Sequence, residues 1–183
     1  MRRALASPSP QSAPPVGRSA AIAALLAPGS AGVEVLLIRR AERANDPWSG
    51  HMALPGGHRE ASDSDLLDTA VRETREEIGV DLTRGAELLG RLDDMMPVKA
   101  AQIVVRPFVF ALDAHPALTA SSEVDRVVWA PLVDLASGAS AAEYELLHEG
   151  QRLRFDGFRV GDHVVWGLTY RVLGALLSRA RAR

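Results

Sequence analysis

Between Leu54 and Val80 the chain reads LPGGHREASDSDLLDTAVRETREEIGV. This run constrains the fold more than any other. A Pro-Gly-Gly turn leads through a short acidic loop into a segment of helical periodicity, and Gly79 supplies a stop. A helix over Leu66–Ile78 is therefore predicted, with Gly79 as its left-handed C-cap. At about 100° per residue, Glu73, Glu76 and Glu77 fall at i, i+3 and i+4 within an arc of about 100°. Ala70, Val71, Thr74 and Ile78 occupy the neighbouring arc, so one face can dock while its edge carries three carboxylates. Such a cluster repels itself unless a cation sits in it. Hard divalent ions with oxygen shells, Mg²⁺ or Mn²⁺, suit it, with substrate phosphates completing the shell. The competing reading is a solvated face of Arg–Glu pairs.

The whole pattern resembles the Nudix box. Gly57 opens it, and Arg72-Glu73-Thr74-Arg75-Glu76-Glu77-Ile78-Gly79-Val80 matches its second half, with Thr74 in an aliphatic slot. Fourteen residues lie between Gly57 and Arg72, one more than the family spacing. Asp63, Ser64 or Asp65 stands where the family has its first Glu. The Gly-Gly start with one added residue is similar to the coenzyme A diphosphatase branch. That branch also has an upstream signature, whose ends resemble Leu36-Leu37-Ile38-Arg39-Arg40 and Gly50–Gly57. Its middle differs, with Asn45-Asp46-Pro47-Trp48 where the signature carries Arg and His. Val165-Trp166-Gly167-Leu168-Thr169 resembles a C-terminal stretch of the same branch.

The resemblance implies a mixed α/β domain, the Nudix α/β/α sandwich with a mixed β-sheet, over residues 19–183. Residues 1–18, rich in Pro, Ser and Ala, are expected to form a mobile tail. Strands are predicted at Ala20–Leu26, Val33–Arg39, His51–Leu54, Glu87–Arg91, Ile103–Leu112 and Val124–Trp129. Pro107 marks the fifth of these as an edge or a bulge. A short helix is expected at Leu132–Ala136, a hairpin at Leu153–Phe158 and Val160–Val165, and a last helix at Gly167–Ala180.

Composition narrows the function classes. With 183 residues, 47% hydrophobic and 24% charged, the chain is sized for one domain with a sizeable core. A net charge of −2 gives no electrostatic reason for nucleic-acid binding. No cysteine is present, which excludes disulfides, thiolate metal sites and thiol nucleophiles. The five histidines (His51, His58, His115, His148, His163) lack ligand spacing. No membrane span is legible, and a cytoplasmic location is expected.

Hydrolysis of a diphosphate needs neutralised phosphates and an activated water, and one divalent ion can serve both needs. The metal ligands implied are Glu73, Glu76 and Glu77, with a backbone carbonyl of Gly56 or Gly57. Arg72 is expected to orient one of the glutamates through a bidentate pair. Glu76 or the later Glu123 is the expected base, and Asp93-Asp94 the weaker alternative. Arg39, Arg40, Arg43 and Arg59 flank the cleft as phosphate-gripping candidates. Trp48 either stacks on an adenine or covers the edge of the core. The expected partner is a small nucleotide conjugate, coenzyme A or a related one, with a homodimer possible. Other Nudix substrates (ADP-ribose, a dinucleotide polyphosphate, a nucleoside triphosphate) and a non-catalytic ligand sensor are the competing readings.

Overall fold

The computed structural model describes residues 10–12, 18–44, 46, 48–97, 102–148 and 150–181. Among the described residues ten strands and three helices follow one another along the chain. They are β1 Arg18–Gly29, β2 Gly32–Arg40, β3 Met52–Ala53, β4 Gly56–His58, α1 Leu66–Ile78, β5 Ala86–Arg91, β6 Ile103–Leu112, β7 Val124–Pro131, α2 Leu132–Ser137, β8 Ala141–His148, β9 Gln151–Val160, β10 His163–Trp166 and α3 Gly167–Arg181.

The long strand β1 organises a seven-stranded mixed sheet ordered β3-β2-β1-β6-β5, with β4 also on β1 and β7 on β2. On one side β1 runs parallel to β6 from Arg18 to Leu26. On the other it is shared, pairing β4 at Ala20–Ile22 and β2 at Leu26–Gly29, both antiparallel. Alternation along the strands then divides the interior into two layers. Ala21, Ala23, Leu25, Leu36 and Ile38 face Ala70 and Ile78 of α1. Ala24, Leu26, Val35 and Leu37 face Val172, Leu173 and Leu176 of α3. This is an α/β/α sandwich about a mixed sheet, as the sequence predicts. The small alanines of β1 let α1 lie close to the strand that carries β4.

Several local expectations change. Pro55-Gly56-Gly57 is not a free turn: Gly56–His58 is strand β4, and Ala23 N donates to Pro55 O at 2.8 Å. Pro107 lies in an interior strand, not at an edge. Its carbonyl accepts from Leu92 N at 2.9 Å, just beyond Arg91 where β5 ends. The missing donor of proline falls in the irregular stretch after Arg91, between the end of β5 and the Met95–Val105 bridge where antiparallel pairing resumes. The bulge is in β5 between Leu88 and Gly90. Strand β8, which the sequence reading lacked, pairs with β9 and β10 in a second sheet. The β9–β10 hairpin turns at Gly161-Asp162, while Gly157 stays in the strand packed against Val164 and Val165.

The tail expectation falls mostly outside the described residues. Of those described, Gln11 N donates to Asp93 Oδ1 at 2.9 Å, and the Arg91 guanidinium bonds Pro10 O and Ser12 Oγ.

Candidate active site

Helix α1 begins at Asp65, whose carboxylate accepts from the N–H groups of Leu67 and Asp68, the usual chemistry of an N-cap. It ends at Gly79, with φ of 74°. Inside it, the Thr74 hydroxyl donates to Ala70 O at 2.7 Å. A threonine is thereby satisfied in the buried slot where the family has an aliphatic residue.

The acidic edge lies against β4. Glu77 is 5% exposed and its Oε2 accepts from Gly56 N at 2.8 Å. Burial, opposed by that hydrogen bond and by the Arg40 charge, pushes its carboxyl up to about 7, with the charges of Glu73 and Glu123 adding to the rise. Burial also raises Glu73, against the pull of Arg72. Gly57 lies over Glu73, and a Cβ at that position would come 2.5 Å from the carboxylate carbon. A side chain there would push the Glu73 carboxylate aside, while at Gly56, with φ of 149°, an added Cβ would run into Ala21 O and the backbone itself requires glycine. Glu76 points outward and is the exposed member of the three.

Arg72 binds the segment together, though not as expected. Its bidentate pair is with Asp63, Nε to Oδ1 at 2.9 Å and Nη2 to Oδ2 at 3.0 Å. The glutamates receive only Nη1, at 3.0 Å to Glu73 Oε1 and 3.1 Å to Glu76 Oε2. The reason is placement: Asp63 is buried across from the guanidinium edge, so both of its oxygens can face the fork. It also accepts from Glu60 N and the Thr69 hydroxyl, both at 2.9 Å. The Arg72 guanidinium holds the Asp63 carboxyl well below the usual carboxylate range, and Asp63 raises Arg72 in return. Of the three residues that could replace the family's first Glu, Asp63 takes the arginine and Asp65 takes the helix cap.

Glu123 reaches the same region from the far side of α1. The last carbonyls of the helix, Glu77 O and Ile78 O, accept from Ser121 N and Thr119 N, both at 2.9 Å. That docks the loop before β7. Ala41 N then donates to Glu123 O, and Arg43 Nη1 lies 3.2 Å from Glu123 Oε1. The charge of Glu123 adds the last and smallest contribution to the rise of the Glu73 and Glu77 carboxyls. Asp93 and Asp94 are elsewhere: Asp94 is gripped by Arg106 through two 2.8 Å bonds, and Asp93 pairs with Arg179.

The candidate phosphate-binding arginines are all engaged. Arg39 pairs with Asp125 and Glu42 at 2.7 and 2.8 Å, and Arg40 with Asp46 at 2.8 Å. Arg59 Nη2 donates to the carbonyls of Asp63 and Ser64, bracing the loop. The Nε atoms of Arg39 and Arg40 are buried without a partner. Trp48 is 42% exposed and adjoins His51 and Trp166.

The donor set fits a hard divalent ion. Two carboxylates that could serve as ligands, Glu73 and Glu77, are desolvated and have raised carboxyls, so a cation would relieve both. Among the described residues no three carboxylates or imidazoles already converge at ligand distance. Arg72 stands between Glu73 and Glu76, and Glu77 is turned to Gly56. Also among the described residues, no helix is long and apolar enough to cross a membrane.

A fold of this kind with carboxylates on the box helix defines a Nudix domain, and the NUDIX domain family model matches residues 17–149. The chain belongs to the Nudix hydrolase family. It is 34% identical to the human protein named mitochondrial coenzyme A diphosphatase NUDT8 over 75% of this chain and 59% of that one. An uncharacterized Schizosaccharomyces pombe protein is 44% identical over 55% of this chain and 32% of its own length. The chain thus spans about three-fifths of the human relative's length and about a third of the Schizosaccharomyces pombe one's. The uncharacterized Nudix hydrolase NudL of Photorhabdus laumondii is 26% identical, over 80% and 77%. Among solved structures, a NUDIX hydrolase from Alicyclobacillus acidocaldarius superposes with a TM-score of 0.55 at 22% identity, covering 88% of this chain and 91% of that one. The NUDIX domain of Shewanella oneidensis NrtR, solved with ADP ribose, gives 0.54 at 20% identity, over 96% and 89%. These two establish the likeness of fold.

Proposed function

We propose that this chain is a Mg²⁺- or Mn²⁺-dependent pyrophosphohydrolase that cleaves the diphosphate of coenzyme A or a related nucleotide conjugate. The observation that carries the reading is the desolvated Glu73–Glu77 pair beneath Gly56-Gly57, facing the charge of Glu123. Glu73, Glu76 and Glu77, with the Gly57 carbonyl, would hold the ion. When bound, the ion would neutralise phosphate charge and make water a better nucleophile. Arg72 keeps Glu73 and Glu76 in place from its anchor on Asp63. Glu76 or Glu123 would take the water's proton, both being acceptors at the edge of the site. Arg39, Arg40 and Arg59 would meet phosphate only by exchanging their present partners for it.

The coenzyme A assignment is supported by the two upstream ends of the branch signature, the Trp166-Gly167 stretch and the human relative's name. A cytoplasmic location and a small-molecule partner remain part of this proposal. The test is hydrolysis of coenzyme A, its 3′-dephospho form, ADP-ribose and nucleoside triphosphates at fixed Mg²⁺ or Mn²⁺, with products identified by mass. Release of adenosine 3′,5′-bisphosphate from coenzyme A as the fastest reaction is expected. Preference for ADP-ribose with negligible cleavage of both coenzyme forms would refute the coenzyme A reading. No turnover of any diphosphate with either metal would refute the hydrolase reading.

A further inference from the structure

Residues 113–123, which join β6 to β7 and carry Glu123, lie outside every helix and strand, yet their course is fixed at several points. His115 stacks on Trp129 of β7 with centroids 4.2 Å apart and planes 6° from parallel, and its Nε2 lies 3.0 Å from Glu34 Oε2 of β2. Leu118 packs into the layer beneath α1. Thr119 N and Ser121 N seat the chain on the carbonyls of Ile78 and Glu77. Ala41 N, one residue beyond the end of β2, donates to Glu123 O at 2.8 Å. A connection held in this way brings its last residue to a fixed place relative to the box helix.

Within that course Ser121 bonds in three ways. Its N–H donates to Glu77 O at 2.9 Å, its hydroxyl accepts from Glu123 N at 3.2 Å, and its carbonyl accepts from Val124 N at 3.1 Å. The carbonyl bond alone closes a turn over residues 121–124. The hydroxyl bond adds a second constraint, on Glu123 itself, by fixing the direction of its N–H. With Glu123 O held by Ala41 N, the backbone of the glutamate is fixed on both sides, and its carboxylate meets Arg43 Nη1 at 3.2 Å. Two hydrogen bonds through one serine thus join the backbone of Glu77 to that of Glu123. Resting on the diphosphate hydrolase reading, with Glu123 as the acceptor of the water's proton, we infer that Ser121 is a positioning residue for that glutamate. It keeps the loop carboxylate in register with the carboxylates of α1, so that a shift of the helix carries Glu123 with it.

The experiment is steady-state hydrolysis of coenzyme A and of ADP-ribose by the full chain in Mg²⁺, at a temperature where thermal melts show each variant folded. The proteins are wild type, Ser121→Ala, Ser121→Thr, Glu123→Gln and the double variant Ser121→Ala/Glu123→Gln. Ser121→Ala deletes one exposed hydrogen bond and keeps both backbone bonds, so kcat should fall roughly 2- to 12-fold with KM within about twofold. Ser121→Thr, which keeps the hydroxyl, should restore most of the rate. In the Glu123→Gln background Ser121→Ala should lower kcat no further, because the serine acts through the group already removed. Unchanged kcat in Ser121→Ala would overturn the inference. So would the same fold-loss in both backgrounds, since the serine would then act through general loop structure and not through Glu123. A wild-type rate in Glu123→Gln would also overturn it, leaving Glu76 as the acceptor and the hydrolase reading intact. No turnover of either substrate by wild type would bring down the hydrolase reading, and this inference with it.

Discussion

Asp63→Ala is the substitution whose consequences the structure defines most closely. The side chain is 4% exposed and faces an Arg72 side chain that is 15% exposed. It accepts four hydrogen bonds, two from Arg72 and one each from Thr69 and Glu60. Removing one partner of a buried pair costs about 3–5 kcal/mol. Arg72 keeps bonds to Glu73, Glu76 and the His58 carbonyl, so the lower end, about 3 kcal/mol, is expected. For a chain of this size that is a fall in Tm of roughly 6–12 °C. The pH dependence has a definite sign. The folded-state carboxyl lies below its unfolded value, so its stabilisation is fully present above about pH 4–5 and is lost as pH falls toward the folded value. Urea unfolding at pH 7 and at pH 3 should therefore show a gap between wild type and variant that is smaller at pH 3 than at pH 7, with most of it lost only at still lower pH. A variant within about 2 °C of wild type at pH 7 would refute the account of Asp63 as the anchor of Arg72.

Glu73→Gln and Glu77→Gln should each abolish most turnover while the far-UV spectrum stays unchanged, and wild-type rates at limiting Mg²⁺ in either would remove the metal assignment. Because burial raises the Glu77 carboxyl to about 7, the metal-free protein should be more stable below about pH 4.3 than above 7 on this residue's account. That stabilisation is lost as pH rises through about 7, so Mg²⁺ should raise Tm more at pH 8 than at pH 6, and an equal rise at both would contradict it. Burial lowers His51, so its stabilising effect is present above about pH 6.5 and lost as pH falls below it; in Tyr144→Phe/His51→Phe this acid-side loss below about pH 6.5 should be reduced in thermal melts. Truncation of residues 1–17 removes the bonds from Pro10, Gln11 and Ser12 to Arg91, Asp93 and Asp94, which together are worth about 1 kcal/mol because water replaces exposed partners. A fall in Tm of up to about 4 °C with unchanged turnover is expected, and lost turnover would place that segment in the site's support.

Leu66–Ile78 and its Gly79 cap were determined by local chemistry, since periodicity, N-cap and C-cap all act within a few residues of one another. So was the split of β1 and β2 into two buried faces, which their small and aliphatic alternation requires once a helix covers each side. The acidic triplet was equally legible, because i, i+3 and i+4 share an arc in any helix. What the sequence could not contain was which distant groups meet that arc. Asp63 rather than a glutamate takes the arginine fork because the loop folds beneath it, an outcome set by burial and not by spacing. Pro107 signalled an edge but sits inside the sheet, at the irregular stretch between the end of β5 at Arg91 and the Met95–Val105 bridge. Strand β8, with polar and apolar residues too mixed to announce a face, forms only by pairing with β9. It delivers Tyr144 to His51 and Trp166 across the fold. The loop that carries Glu123 likewise docks on α1 because the carbonyls of Glu77 and Ile78 need donors, which Ser121 and Thr119 supply. Local propensity wrote the elements, and the satisfaction of buried polar groups between elements decided the site.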